Sequence, residues 1–153
     1  MILLLGAPLA AETLTGKVVS IADGDTITIL VARERVKVRL AEIDAPERGQ
    51  PWNKRSRQAL SQKISSHVVQ VETTFNDRYG RRVGHVVYSG RDINREMVRE
   101  GHAWVYRQWM RDKTLLDDES RARAARAGLW SLPEVERVRP WEWRAAARAR
   151  SHH

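Results

Sequence analysis

Three short stretches of the chain place charged side chains beside turn-forming residues. They read Asp23-Gly24-Asp25-Thr26, Arg39-Leu40-Ala41-Glu42-Ile43-Asp44-Ala45-Pro46-Glu47 and Asp77-Arg78-Tyr79-Gly80-Arg81. Carboxylate oxygens are the ligands that hard divalent cations prefer, and the planar guanidinium group of arginine can bind a phosphate with two hydrogen bonds. These are the groups that metal-assisted cleavage of a phosphodiester requires. The stretches therefore indicate this chemistry, provided that the fold brings them together.

Each stretch also has an ordinary structural explanation when it is considered alone. Asp-Gly pairs are common in hairpin turns, and the acids of the second stretch could simply belong to a loop that ends a strand. Arg39 could form a structural salt bridge with Glu42 or Asp44, and Arg81 could be a surface charge of no consequence. The functional interpretation depends on the conjunction of the three stretches.

Strand patterns place the first two stretches at one end of a sheet. Apolar and polar residues alternate over 26–31 and 36–43, and a shorter strand is predicted over 17–21. Asp25 begins the second strand and Asp44 ends the third. In an antiparallel meander these two positions lie at the same end, so the two carboxylates are predicted to be neighbours.

The remaining elements complete a recognisable order. A helix is predicted over 52–64, and strands are predicted over 68–74 and 82–88. Two further helices are predicted over 94–100 and 114–127, and a glycine follows each of these two helices. Five short strands with a helix between the third and fourth are typical of the OB-fold barrel. We therefore predict an α+β, mainly β fold: a five-stranded OB-fold barrel with about three helices.

Composition favours a polyanionic partner. The chain has 153 residues, with 27 Lys and Arg against 19 Asp and Glu, which gives a net charge of +8. Such a surface attracts nucleic acid, although a merely solvated basic surface is the alternative. The absence of cysteine excludes disulfides, thiolate zinc sites and cysteine nucleophiles.

Three segments are predicted along the chain. Residues 1–11 are apolar and form a stretch too short to span a bilayer. The stretch is similar to the hydrophobic core of a secretory signal, and it therefore predicts a secreted or periplasmic protein. An ordered apolar strand is the alternative. Residues 12–132 form one domain. Residues 133–153 form a basic tail rich in Trp and Arg, whose final His152 and His153 resemble the remnant of an expression tag.

The three charged stretches, in this order and spacing, resemble the signature segments of the staphylococcal nuclease family. Residues 94–103 and Gly128-Leu129-Trp130 resemble its later part, so that the resemblance extends from about Thr13 to Trp130. It implies a calcium-dependent nuclease on an OB-fold, which cuts DNA and RNA with little sequence preference and leaves 3′-phosphate ends. It also implies DNA and RNA as substrates. Separately, we expect no stable membrane association and a monomer.

The resemblance assigns roles residue by residue. It implies Ca²⁺ ligation by Asp25, Asp44 and the main-chain carbonyl of Ala45, activation of water by Glu47, and phosphate binding by Arg39 and Arg81. Tyr79 would line the nucleotide pocket. Ala45 stands where the best-known members carry threonine, a change that leaves a main-chain ligand intact.

Two further expectations concern substrate binding and a rival function. Trp104, Tyr106 and Trp109, around Arg107, are candidates for stacking against bases. The main alternative is a catalytically inactive OB-fold module that only binds nucleic acid, and a more distant one is a structural basic protein that coats DNA. Loss of the carboxylates or arginines would favour the inactive module, and all of them are present.

Overall fold

The computed structural model describes residues 11–152 and consists of strands followed and flanked by helices. The strands are β1 (Thr13–Asp23), β2 (Thr26–Val31), β3 (Glu34–Leu40), β4 (Ile43–Asp44), β5 (Val68–Asn76), β6 (Arg82–Tyr88), β7 (Arg91–Asp92) and β8 (Trp104–Val105). The α-helices are α1 (Asn53–Ile64), α2 (Ile93–Arg99), α3 (Leu115–Ala124) and α4 (Pro140–Arg150). The predicted signal segment falls almost entirely on residues 1–10, which lie outside the described residues, and it stays a prediction.

The five long strands close into a mixed barrel. Their order is β3-β2-β1-β5-β6, with antiparallel neighbours, and β3 then pairs in parallel with β6. This closure removes the open edges that an exposed sheet would leave. The predicted OB-fold is confirmed.

Several boundaries differ from the prediction, and two of these differences coincide with a residue of positive φ. The third strand ends at Leu40, and Ala41 and Glu42 form a turn in which Glu42 has a φ of 67°. Asp44 therefore lies on the separate short strand β4, which pairs with β8. Helix α3 ends at Ala124 rather than at Ala127, because the chain leaves helical geometry at Arg126, where φ is 52°.

The core lies between the barrel and the helices. Barrel side chains such as Ile27 and Val38 pack with Leu60 and Ile64 from the inner face of α1. A second apolar cluster is formed by Trp104, Ala122, Leu129 and Trp130, with Trp141 packed against it. Thus the part of the tail that forms α4 is packed onto the domain. None of the described helices is long and apolar enough to cross a membrane.

Candidate active site

The two aspartates predicted to be neighbours meet at one guanidinium group. The register between β2 and β3 puts Thr26 opposite Arg39, and the backbone NH of Leu40 donates to the carbonyl of Asp25 at 2.8 Å. Nη2 of Arg39 lies 3.5 Å from Oδ2 of Asp25 and 3.2 Å from Oδ1 of Asp44. The pairing of β2 with β3 and the turn at Ala41–Glu42 thus bring together two carboxylates that are nineteen residues apart.

Arg39 is held in place by backbone carbonyls as well as by acids. Its Nη1 donates to the carbonyl oxygens of Leu40 at 2.7 Å and Ile43 at 2.9 Å, which lie on the two sides of the Ala41–Glu42 turn. The alternation of β3 directs Arg39 away from the core face that carries Val38 and Leu40. The guanidinium is therefore preorganised, with one edge on the turn and the other on the acids.

Backbone and side-chain hydrogen bonds fix the Asp25 carboxylate. Its Oδ2 accepts from the backbone NH of Ala45 at 2.7 Å, and its Oδ1 accepts from the hydroxyl of Thr26 at 2.8 Å. Asn53, the first residue of α1, donates to the carbonyl of Pro46 at 2.7 Å and to Asp23 at 3.2 Å. Helix α1 therefore ties the β1–β2 turn to the segment that carries Asp44 and Glu47.

The carboxylate of Asp44 is completely buried, and its ionisation is correspondingly costly. Burial raises the pKa of Asp44 to about 6, against the opposing effects of a hydrogen bond from Arg144 and the charge of Arg39; the nearby charge of Asp25 adds to the rise. The two neighbouring guanidinium groups therefore offset only part of the cost of burying this charge.

The structure adds Arg144, which the sequence reasoning missed. Its Nη1 donates to Oδ1 of Asp44 at 3.0 Å and to Oε1 of Glu47 at 2.7 Å, and its Nη2 donates to Oδ2 of Asp44 at 2.7 Å. The sequence does contain a signal for it. Pro140 begins a helix that carries Trp141 and Arg144 three residues apart, and hence on one face.

The third charged stretch lies in the loop between β5 and β6. Nε of Arg81 donates to Oδ2 of Asp77 at 2.7 Å, and its guanidinium lies 5.5 Å from the ring centre of Tyr79. Tyr79 is largely exposed. Because β6 pairs with β3, this loop is attached to the strand next to Arg39. The structure does not bring Arg81 into contact with Asp25 or Asp44.

The aromatic candidates occupy three different environments. Trp104 is 3% exposed and packs edge-to-face against Trp130, so its ring faces are not available to a base. Tyr106 stacks on Trp141 and its hydroxyl accepts from Arg144 at 3.3 Å, which places it at the site. Trp109 is half exposed and stacks on Phe75. Of these three residues, Tyr106 and Trp109 remain candidates for contact with a nucleotide, as does the exposed Tyr79.

The oxygen donors present suit a hard cation. Within residues 11–152, no group of three or more His, Cys, Asp or Glu side chains is placed to hold a metal ion. The site instead offers the carboxylates of Asp25 and Asp44 beside the backbone of Ala45. Ca²⁺ accepts such mixed sets of carboxylate, backbone carbonyl and water oxygens. The residues present could therefore hold Ca²⁺.

An OB-fold barrel with paired carboxylates and an arginine at one end has the groups that cleavage of a phosphodiester requires. Comparison with known proteins agrees. The family model described as staphylococcal nuclease homologue matches residues 37–132. The chain belongs to this family, and it is accordingly a nuclease that acts on nucleic acids. Helix α4, from Pro140, lies outside the matched range.

Individual relatives show how far the similarity extends. The chain is 42% identical to a micrococcal nuclease of Shigella flexneri, over 97% of this chain and 90% of the relative. It is 43% identical to the protein ParB of Escherichia coli, over 94% of this chain and 85% of the relative. A probable staphylococcal-like nuclease of Oryza sativa is 33% identical over 74% of this chain and 34% of its own length.

Proposed function

We propose that this nuclease is calcium-dependent and hydrolyses the phosphodiester bonds of DNA and RNA without sequence preference. The observation that carries the proposal is the meeting of Asp25 and Asp44 at a single Arg39 nitrogen, within 3.5 Å of both. A buried acidic pair held beside a fixed guanidinium can bind a divalent cation and a phosphate side by side.

Bound Ca²⁺ would polarise a phosphoryl oxygen and help to orient the attacking water. Asp25, Asp44 and the main-chain carbonyl of Ala45 would hold the ion. Glu47 follows Asp44 after two residues, and its side chain is 34% exposed, whereas that of Asp44 is wholly buried. A carboxylate that remains accessible to water is the better general base, so we assign proton abstraction from water to Glu47.

The arginines supply positive charge to the reacting phosphate. The preorganised fork of Arg39 can donate to phosphate oxygens and stabilise the charge that develops as water attacks phosphorus. Arg81 would assist once it exchanges its present partner, Asp77, for phosphate. Attack with departure of the 5′ oxygen leaves a 3′-phosphate, which is the end that the family resemblance implies.

Metal removal tests the proposal. Labelled single-stranded DNA, double-stranded DNA and RNA of mixed sequence should all be cleaved in Ca²⁺. Cleavage should stop when EGTA is added and should resume when excess Ca²⁺ is restored. Retardation of the same substrates in a gel without cleavage would instead support a binding module, and cleavage that is indifferent to EGTA would contradict calcium dependence.

The role of Glu47 has a separate test. We expect Glu47→Gln to lower kcat by about 100-fold or more, since the amide cannot accept the proton from water. DNA binding should change little, and thermal stability should fall only by the weakened contact of Glu47 with Arg144. Glu134→Gln, on an exposed residue far along the chain, is the matched control. Unchanged turnover in Glu47→Gln would exclude the base role.

A further inference from the structure

Arg144 occupies the acidic groups that the proposed function assigns to metal binding and water activation. Its two terminal nitrogens use both oxygens of Asp44 and one of Glu47, at 2.7 to 3.0 Å. This bidentate geometry is the strongest form of arginine–carboxylate pairing. The Asp44 side chain is completely buried and that of Arg144 is 28% exposed, so this is not an ordinary surface ion pair.

The segment that leads into α4 is built to deliver this arginine. Pro140 is buried at the start of the helix, and the Trp141 ring stacks on Tyr106 with centroids 5.4 Å apart and planes inclined by 5°. Trp141 also packs edge-on against Trp104 at 6.2 Å. These contacts lie one helical turn before Arg144, on the same face, and therefore hold its guanidinium over the site.

Gln50 links this segment to the loop that carries Glu47. Its Oε1 accepts from the backbone NH of Glu47 at 2.9 Å, while its Nε2 donates to the carbonyl of Val138. Gln50 is itself buried. Gln50 thus connects the segment that precedes α4 to the loop that carries the proposed base.

A guanidinium and a divalent cation cannot both use these oxygens. Asp44 Oδ2 is engaged by Arg144 and Oδ1 is shared between Arg144 and Arg39. A bound Ca²⁺ requires Asp44 oxygens at about 2.3–2.6 Å, and it would repel a second cation within a few ångströms. Binding of the ion therefore requires Arg144 to give up at least part of its contact with Asp44.

We propose that Arg144 is an internal competitor for the metal site: it neutralises Asp44 and Glu47 when no divalent cation is bound, and Ca²⁺ must displace it. This inference rests on the proposed assignment of Asp25 and Asp44 as metal ligands. It makes α4 a device that couples metal binding to the attachment of the C-terminal segment. It also explains why a nuclease would keep a strongly acidic buried site stable before metal arrives.

Calcium affinity measured by isothermal titration calorimetry is the first test. We expect Arg144→Gln to bind Ca²⁺ about tenfold more tightly than the unmodified chain, a typical size for a coupling between two sites. Arg144→Lys keeps the charge but loses the fork, so its affinity should fall between the two. Arg148→Gln, an exposed arginine one turn further along α4, makes the same change in net charge and should leave the affinity unaltered.

Thermal unfolding provides a second readout, which is independent of activity. Arg144→Gln should lower Tm more in EGTA than in saturating Ca²⁺, because linkage makes the competition reciprocal. Equal Tm losses in the two conditions, or calcium affinity in Arg144→Gln that is equal to or weaker than that of the unmodified chain, would overturn the proposal. Failure of every variant to bind Ca²⁺ would contradict the metal site itself, and the inference would fall with it.

Discussion

Arg39 has two functions at the residue scale, and they require the same geometry. One of its nitrogens closes the Ala41–Glu42 turn through two carbonyl oxygens, and the other faces both aspartates. The planar fork of a guanidinium can make these contacts together, whereas the single ammonium group of lysine cannot. The arginine is therefore needed both to shape the site and to meet the phosphate.

Arg39→Lys should lower kcat/KM for DNA by about 100-fold or more, the size of effect seen when one preorganised donor is lost. It should also lower the free energy of unfolding, since the turn loses hydrogen bonds. Urea unfolding and steady-state cleavage rates separate the two effects. Arg35→Lys, at an exposed position of the same strand, is the control. Normal rates in Arg39→Lys would leave Arg39 with a structural role alone.

Local patterns were sufficient to predict part of this site. Asp25, Arg39 and Asp44 lie close together because strand alternation and short connections fix their relative positions, and both can be read from a few neighbouring residues. Arg144 reaches Asp44 across one hundred residues of sequence. Its position depends on how α4 packs onto Tyr106 and Trp104, which no local pattern specifies. The burial of Trp104 was missed for the same reason.

Some boundaries of the strands and helices can likewise be predicted from local sequence, whereas others depend on tertiary contacts. The barrel strands and α1 were predictable from periodicity, but the break of the third strand at Ala41–Glu42 was not. Glu42 takes a positive φ that is unfavourable for most residues, and tertiary contacts hold it there. Its carboxylate accepts from the backbone NH of Asp112 at 2.7 Å, and it lies 3.1 Å from His85. These partners are distant in sequence.

Close packing of α1 against the β1–β2 turn leads to a prediction at Gly24. A Cβ at this position would lie 1.9 Å from the Ser56 hydroxyl oxygen and 3.1 Å from Ala45 Cβ. Ser56 is buried, and its hydroxyl donates to the carbonyl of His102 at 2.7 Å, so it cannot easily move. Gly24→Ala should therefore lower the free energy of unfolding by about 1–3 kcal/mol and displace Asp25.

A double-mutant cycle with Ser56→Gly checks this cause. Removal of the serine side chain makes room for the new methyl group, so the double variant should lose less stability than the sum of the two single changes. Urea unfolding measures each corner of the cycle. Strictly additive losses would show that the strain lies elsewhere in the turn.

A network of charges joins α1 to α2 and makes stability depend on pH. Hydrogen bonds from Arg91 and from Lys63 lower the pKa of Glu96 to about 2, from an ordinary value of 4.5. A depressed carboxyl pKa contributes stability that is complete above pH 4.5 and is lost as the pH falls towards 2. The gap in unfolding free energy between the unmodified chain and Glu96→Gln should follow this course.

We expect this gap to be about 1–2 kcal/mol near pH 6 and to vanish near pH 2. The shift in the pKa of Glu96 corresponds to about 3 kcal/mol of unfolding free energy. Because Arg91 is exposed, solvent screening reduces this contribution. Urea unfolding at several pH values below 6 measures the gap directly, and other titrating groups cancel in the comparison. A gap that is constant across this range would assign no pH-dependent role to Glu96.

Part of the positive charge of the molecule lines a groove whose residues follow Glu47 in the sequence. This open groove of about 740 Å³ is lined by Arg48, which follows Glu47 in the sequence, and by Trp52, Lys54 and Arg55 among others. The Arg55 guanidinium lies 4.9 Å from the ring centre of Trp52. Basic side chains with an adjacent aromatic ring suit a single strand that leaves the scissile phosphate. We therefore expect this groove to carry part of the affinity for substrate.

Salt dependence of binding can measure that share. With the inactive Glu47→Gln chain and a single-stranded oligonucleotide, log affinity should fall linearly with log salt concentration. Each lost phosphate contact should reduce the slope by about 0.7. Adding Arg48→Gln and Lys54→Gln should therefore reduce the slope by up to about 1.4, with a similar effect on DNA and RNA.

The control is the same loss of charge through Lys113→Gln and Arg121→Gln, which are exposed residues outside the groove lining and should change the slope less. Equal slopes for the two pairs would mean that the net charge of +8, rather than the groove, attracts the substrate.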